Sequence, residues 1–90
     1  MTSGSATPNG KLIPIAVTWD WRRKTPTAFV WRKRRYRIEI IQHSWVVETG
    51  WWNEQTRVSR YYNRVQAEGR LFDIYFDRRE QEWFLERALN

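Results

Sequence analysis

The chain has 90 residues, no cysteine, and sixteen Lys and Arg against ten Asp and Glu, a formal net charge of +6. That length holds one small domain, since separate hydrophobic cores need on the order of 100 residues each. Without thiols, disulfides, Cys-based zinc sites and Cys nucleophiles are excluded, so the chain folds on packing alone and suits a reducing cytoplasm. Aromatic residues make up 17% of it, and seven of them are Trp. Large rings let a short chain bury enough apolar area.

Met1 to Lys11 is rich in Ser, Thr, Gly and Pro and reads as a flexible tail ahead of a single β domain over residues 12–90. It has neither the basic start nor the apolar run of a signal peptide. No apolar stretch approaches the roughly 20 residues of a membrane helix. From Leu12 to Trp21, Ile13, Ile15, Val17, Trp19 and Trp21 alternate with smaller or polar residues, the period of a strand. Pro14 has no amide hydrogen for a ladder, which assigns this strand to a sheet edge.

Arg22 to Pro26 is a basic break. A second extended run covers Ala28 to Arg32, and Lys33-Arg34 reads as a tight turn. Arg35 to Gln42 alternates most cleanly, with Tyr36, Ile38 and Ile40 opposite Arg37 and Glu39. His43 to Arg57 shows no period and reads as a short strand or turn followed by a long loop. Val58 to Ala67 and Arg70 to Asp77 form a hairpin about Glu68-Gly69. Asp77 to Gln81 is another polar turn, and Glu82 to Arg87 is either a last strand or one or two helical turns. These runs define an all-β fold, an antiparallel meander closing into a small SH3-like or open barrel.

Charge is unevenly distributed. Arg22, Arg23, Lys24, Arg32, Lys33, Arg34, Arg35 and Arg37 put half of the sixteen basic residues into one window without an acid, while the segment from Arg70 onward sums to about −1 by formal count. One end or face should therefore carry a positive field. Trp19, Trp21, Phe29, Trp31 and Tyr36 lie among these bases. Cations that neutralise phosphates beside rings that stack on bases are the equipment of nucleic-acid binding. The opposing explanation is that the rings are core and the bases a solvated face. Trp52, Arg60 and Tyr61 are further candidate contacts. Trp51 and Trp52 point to opposite sides in extended backbone, so one can be core while the other is open.

Catalysis finds no foothold. His43 is the only histidine, adjacency to Ser44 does not make a triad, and no Gly pattern cradles phosphate. No metal or cofactor is implied. The expected function is a non-catalytic nucleic-acid-binding module, single- or double-stranded, in a monomer or weak homodimer with no membrane. The alternative is a protein-interaction module of a repair or replication assembly that uses exposed Trp and Tyr rings and an open sheet edge, the Pro14 strand being the candidate.

The order Trp31-Arg32, Tyr36-Arg37-Ile38, Trp51-Trp52, Arg60, Tyr62, Arg64, Val65, Arg70, Phe72, Tyr75, Asp77 and Trp83-Phe84-Leu85 resembles a family of small uncharacterised bacterial proteins. It is also similar to the C-terminal tail segment of ImuB-type proteins, catalytically inactive relatives of Y-family polymerases in mutagenic repair. The resemblance implies a DNA-repair setting and brings no catalytic residues. Between Gln42 and Gly50 this chain has His43, Ser44 and Trp45 where that pattern has a Gly-Pro-Glu-Arg type of loop, so a partner bound through that loop does not carry over.

Overall fold

Turns set the register of the meander. Glu68 and Gly69 both have positive φ, 55° and 75°, the requirement of a two-residue turn whose twist matches that of its flanking strands. They join β5 (Val58–Ala67) to β6 (Arg70–Asp77) in unbroken register from Ala67 opposite Arg70 to Arg60 opposite Asp77. Arg32 and Lys33 form a second such turn, at 54° and 64°, between β3 (Thr25–Trp31) and β4 (Arg34–Thr49). The turn thus lies one residue earlier than Lys33-Arg34, because Arg34 already pairs with Trp31.

The structure, a computed structural model, describes residues 13–50 and 52–89. The expected tail, Met1 to Lys11, and Trp51 lie outside the described residues. The remaining strands are β1 (Ile13–Pro14), β2 (Ala16–Asp20) and β7 (Glu82–Leu89). All seven pair antiparallel in the order β1-β7-β6-β5-β4-β3-β2. β1 and β2 sit at opposite ends of that order yet are separated only by Ile15, whose N–H donates to the Trp83 carbonyl at 3.1 Å. One extended segment therefore binds both ends of the sheet and curls it into an open half-barrel. The all-β meander stands as read, and Pro14 does lie on an edge strand.

Of the two readings of the C-terminal run the strand is the one that holds, as β7, and the helical turns are not present: Trp83 and Leu85 oppose Phe76 and Ile74 while Phe84 opposes Tyr75. Apolar residues on both faces of this strand hide its period of two. The stretch from His43 departs from the sequence reading: it belongs to β4, which runs unbroken to Thr49, and the described residues between β4 and β5, Gly50 and 52–57, are not strand. Irregularities between Ile38 and Ile40 and between Ile41 and His43 shift which residues face inward, so no single alternation spans the strand.

The concave face holds the main core of Phe29, Trp31, Tyr36, Val65, Ala67, Phe72, Ile74 and Leu85. Phe72 is its hub, with ring centroids 5.1 Å from Phe29, 5.2 Å from Tyr36 and 5.8 Å from Trp31. Full burial of such a ring stabilises by about 3 kcal/mol. The convex face carries a second row across four strands: Trp45, Tyr62, Tyr75 and Phe84, with successive centroids 5.0, 4.9 and 5.5 Å apart. Arginines roof this row. The Arg60 guanidinium lies 4.7 Å from the centre of the Tyr75 ring, and Arg64 grips buried Asp73 with bonds of 2.7 and 2.9 Å, joined by Arg87 at 3.3 Å. Burial pushes the Tyr62 hydroxyl up to about 12, with the Glu86 carboxylate adding to the rise and Arg60 opposing it. Tyr75 is raised by burial as well. The core reading therefore holds for most rings, including Phe29, Trp31 and Tyr36 from the basic window.

Candidate nucleic-acid interface

Two loops of the same design meet opposite electrostatic fates. After β2, residues 21–24 turn the chain: the Asp20 carboxylate accepts from the Arg22 and Arg23 amides at 2.9 and 3.2 Å, the Lys24 amide donates to the Asp20 carbonyl at 2.7 Å, and Lys24 has φ 57°. After β6, Asp77 does the same with Arg79, Glu80 and Gln81, whose φ is 61°. In each loop the Asp is committed to backbone amides. In the second loop outside carboxylates then reach the arginines, Glu48 meeting Arg78 at 3.6 Å and Glu54 meeting Arg79 at 3.8 Å. In the first loop none does, so Arg22, Arg23 and Lys24 remain exposed and without an ion pair among the described residues.

That contrast extends across the domain. Of the eight bases in the acid-free window only Arg34 is ion-paired, 3.0 Å from Glu68. Arg57, Arg60, Arg64, Arg78, Arg79 and Arg87, all from later in the chain, are paired. Seven of the eight cations without an ion pair among the described residues thus come from one window; the eighth, Arg70, lies over the Trp31 and Phe72 rings.

The seven do not form a compact cluster. The seven extended residues of β3, at about 3.3 Å each, hold the 21–24 loop roughly 20 Å from the 32–33 turn. Arg37 and Arg35, opposite Ala28 and Val30, stand between these ends on the face of β4 turned away from buried Tyr36. Arg32 also lies over the Trp31 ring at 4.6 Å. The arrangement is a ribbon of charge along one hairpin.

Beside the 21–24 loop the half-barrel opens into a cavity of about 290 Å³ lined by Trp19, Trp21, Tyr61, Phe76 and Trp83. Trp21 is 80% exposed. Trp19 packs 6.1 Å from Trp21 and 5.9 Å from Trp83, and its ring N–H is buried with no acceptor. Phe76 and Trp83 went unnoticed as site residues in the sequence, although the two turns encode them. With Ala67 opposite Arg70 and Asp77 opposite Glu82, counting outward places Tyr61, Phe76 and Trp83 in one cross-strand row.

The other expected contacts separate. Tyr61 lines the cavity, whereas neighbouring Arg60 faces the opposite side, donates to the Tyr62 hydroxyl at 3.3 Å and sits 4.0 Å from Asp77. It is tied into the convex face. Trp52 is 73% exposed between β4 and β5. His43 stacks on Trp45 at 5.2 Å.

Fold and surface together define a small all-β half-barrel with an aromatic mouth and an unneutralised basic flank. The chain belongs to the family described as a domain of unknown function, DUF6504, whose model matches residues 14–90. No curated protein and no solved structure matches it. Among the described residues no helix is long and apolar enough to cross a membrane.

Proposed function

We propose that this domain is a non-catalytic nucleic-acid-binding module that holds phosphates along the β3–β4 hairpin and stacks a base at the barrel mouth. The observation that carries this reading is the set of seven unpaired cations, Arg22, Arg23, Lys24, Arg32, Lys33, Arg35 and Arg37, in a chain whose other arginines are largely ion-paired. A surface selected only for solubility gains from interspersed charges of both signs, and this ribbon has one sign. Free cations beside an apolar cavity suit a polyanion with flat rings. Trp21 stands where cavity and basic loop meet, so it is placed to stack on a base while Arg22 and Arg23 hold the adjoining phosphates.

The order of aromatic and basic residues that resembles the tail segment of ImuB-type repair proteins favours a DNA-repair setting within this reading, with a cytoplasmic location as its corollary. The test is fluorescence anisotropy with labelled single-stranded and duplex oligonucleotides. Trp21→Ala should weaken single-strand binding by roughly 1 to 3 kcal/mol, the worth of one base–ring stack, and spare duplex binding. Equal affinity of wild type and variant for single strands would remove the mouth from the reading.

A further inference from the structure

β4 is longer than its neighbour. β3 pairs with it only over Arg34 to Arg37, while β5 pairs with it from Ile38 to Thr49. Beyond the β3 contact, one side of β4 has no strand beside it among the described residues. Its outward N–H and C=O groups form an open template for another strand. Natural edges are blunted by Lys, Pro, bulges or shortness. Here the irregularities end at His43, and from His43 to Thr49 the strand is regular, holds no Lys, Arg or Pro, and has Glu48 as its one charge.

We infer that this segment pairs with itself, β4 of one copy running antiparallel to β4 of a second copy about a two-fold axis at Val46. A two-fold axis perpendicular to the sheet keeps each face on its own side, so residues directly opposite must come from the same face of the strand. Centring on Val46 uses the whole regular stretch: Val46 meets Val46, Trp45 meets Val47, Ser44 meets Glu48 and His43 meets Thr49. No like charges oppose one another. Moving the centre to Val47 sets Glu48 opposite Val46, and moving it to Trp45 leaves Thr49 opposite Ile41, beyond the irregularity.

The packing around this edge favours a second copy over an unrelated strand. Trp45 and Val47 form the margin of the convex aromatic row, partly buried against Tyr62, Tyr75 and Phe84. Setting Trp45 beside Val47 of the second copy joins two such rows into one, an aromatic and β-branched cross-strand pairing of the favourable kind. On the other face Val46 is 48% exposed and would be covered by its own counterpart. The seam also carries none of the seven free cations, so it avoids the charge that makes two copies repel.

The inference stands apart from nucleic-acid binding, and the test needs no oligonucleotide. Sedimentation of the full chain in moderate salt, from micromolar to millimolar, should show growth toward twice the 11.1 kDa monomer mass. Val46→Lys should remain monomeric with its thermal unfolding retained. Register is read separately. The chain has no cysteine, so Val46→Cys introduces a lone thiol, and opposed Cα atoms on an antiparallel pair lie about 4.5 to 5.5 Å apart, within disulfide reach. It should crosslink under mild oxidation far faster than Ile40→Cys, exposed but outside the seam.

Monomers throughout the concentration range would overturn the proposal, as would a Val46→Lys dimer or equal crosslinking of the two cysteine variants. A monomer whose 43–49 amides are nevertheless protected from hydrogen exchange would mean that the chain covers its own edge, and would also overturn it.

Discussion

Lys33 offers a test in which stability and binding move in opposite directions. At φ 64° it occupies the left-handed region, where a Cβ crowds the carbonyl oxygen at a cost of roughly 1 to 2 kcal/mol. Glycine removes that clash but adds freedom to the unfolded chain, a loss of about 0.5 to 1 kcal/mol. The side chain makes no ion pair whose removal would blur the result. Lys33→Gly should therefore stabilise by about 0.5 to 1 kcal/mol, a rise in Tm of roughly 2 to 8 °C for a domain of this size. Lys33→Ala, which keeps the Cβ and loses the charge, is the control and should show little of this rise. Both variants should bind oligonucleotide less tightly than wild type. Differential scanning calorimetry beside anisotropy reads both quantities. If Lys33→Ala stabilised as much as Lys33→Gly, relief of repulsion with Arg32 and Arg34 would be the cause, and the backbone argument would fail.

Phe72→Ala should cost about 3 to 5 kcal/mol, because the ring is fully buried and touches three others, while Phe72→Leu should lose much less; urea unfolding separates them. Asp73→Asn should destabilise more than Glu68→Gln, since Asp73 is 2% exposed between Arg64 and Arg87 whereas the Arg34–Glu68 pair is largely in solvent. The raised Tyr62 hydroxyl gives a third expectation. Below pH 10 both folded and unfolded states keep the proton. Between 10 and about 12 the unfolded chain releases it first, so folded stability falls as pH rises through that window. Denaturant titrations from pH 9 to 12 should show that decline, and Tyr62→Phe should reduce it.

The hairpin around Glu68-Gly69 was legible because turn chemistry and hydrophobic runs agree there on one register. β4 was not, because its irregularities move the buried residues from Tyr36 and Ile38 to Ile41 on one face and then to Trp45 and Val47 on the other. β7 was ambiguous because Phe84 serves the convex row while Trp83 and Leu85 serve the concave core. The basic window was plain in the sequence, since Glu80 and Glu82 stand close to Arg78 and Arg79 while no acid follows Asp20 before Glu39, but which carboxylates neutralise which arginines rests on pairing at a distance. Only the fold shows that Glu48 and Glu54 reach Arg78 and Arg79 and that, among the described residues, no carboxylate reaches the Arg22 and Arg23 guanidinium groups. The mouth was legible only through register, since its five rings come from four separate stretches of sequence.

The central claim is that the unpaired ribbon binds polyanions. Its most direct measurement is the dependence of oligonucleotide affinity on salt between 50 and 200 mM. Single-strand binding falls with a log–log slope of about −0.7 per phosphate neutralised, so contacts from three to seven free cations predict a slope of roughly −2 to −5. Replacing Arg22, Arg23 and Lys24 together by Gln should flatten it by about 2, and replacing the ion-paired Arg57 and Arg79 by Gln should leave it nearly unchanged. A wild-type slope near zero, or equal flattening by the two sets of substitutions, would contradict the account.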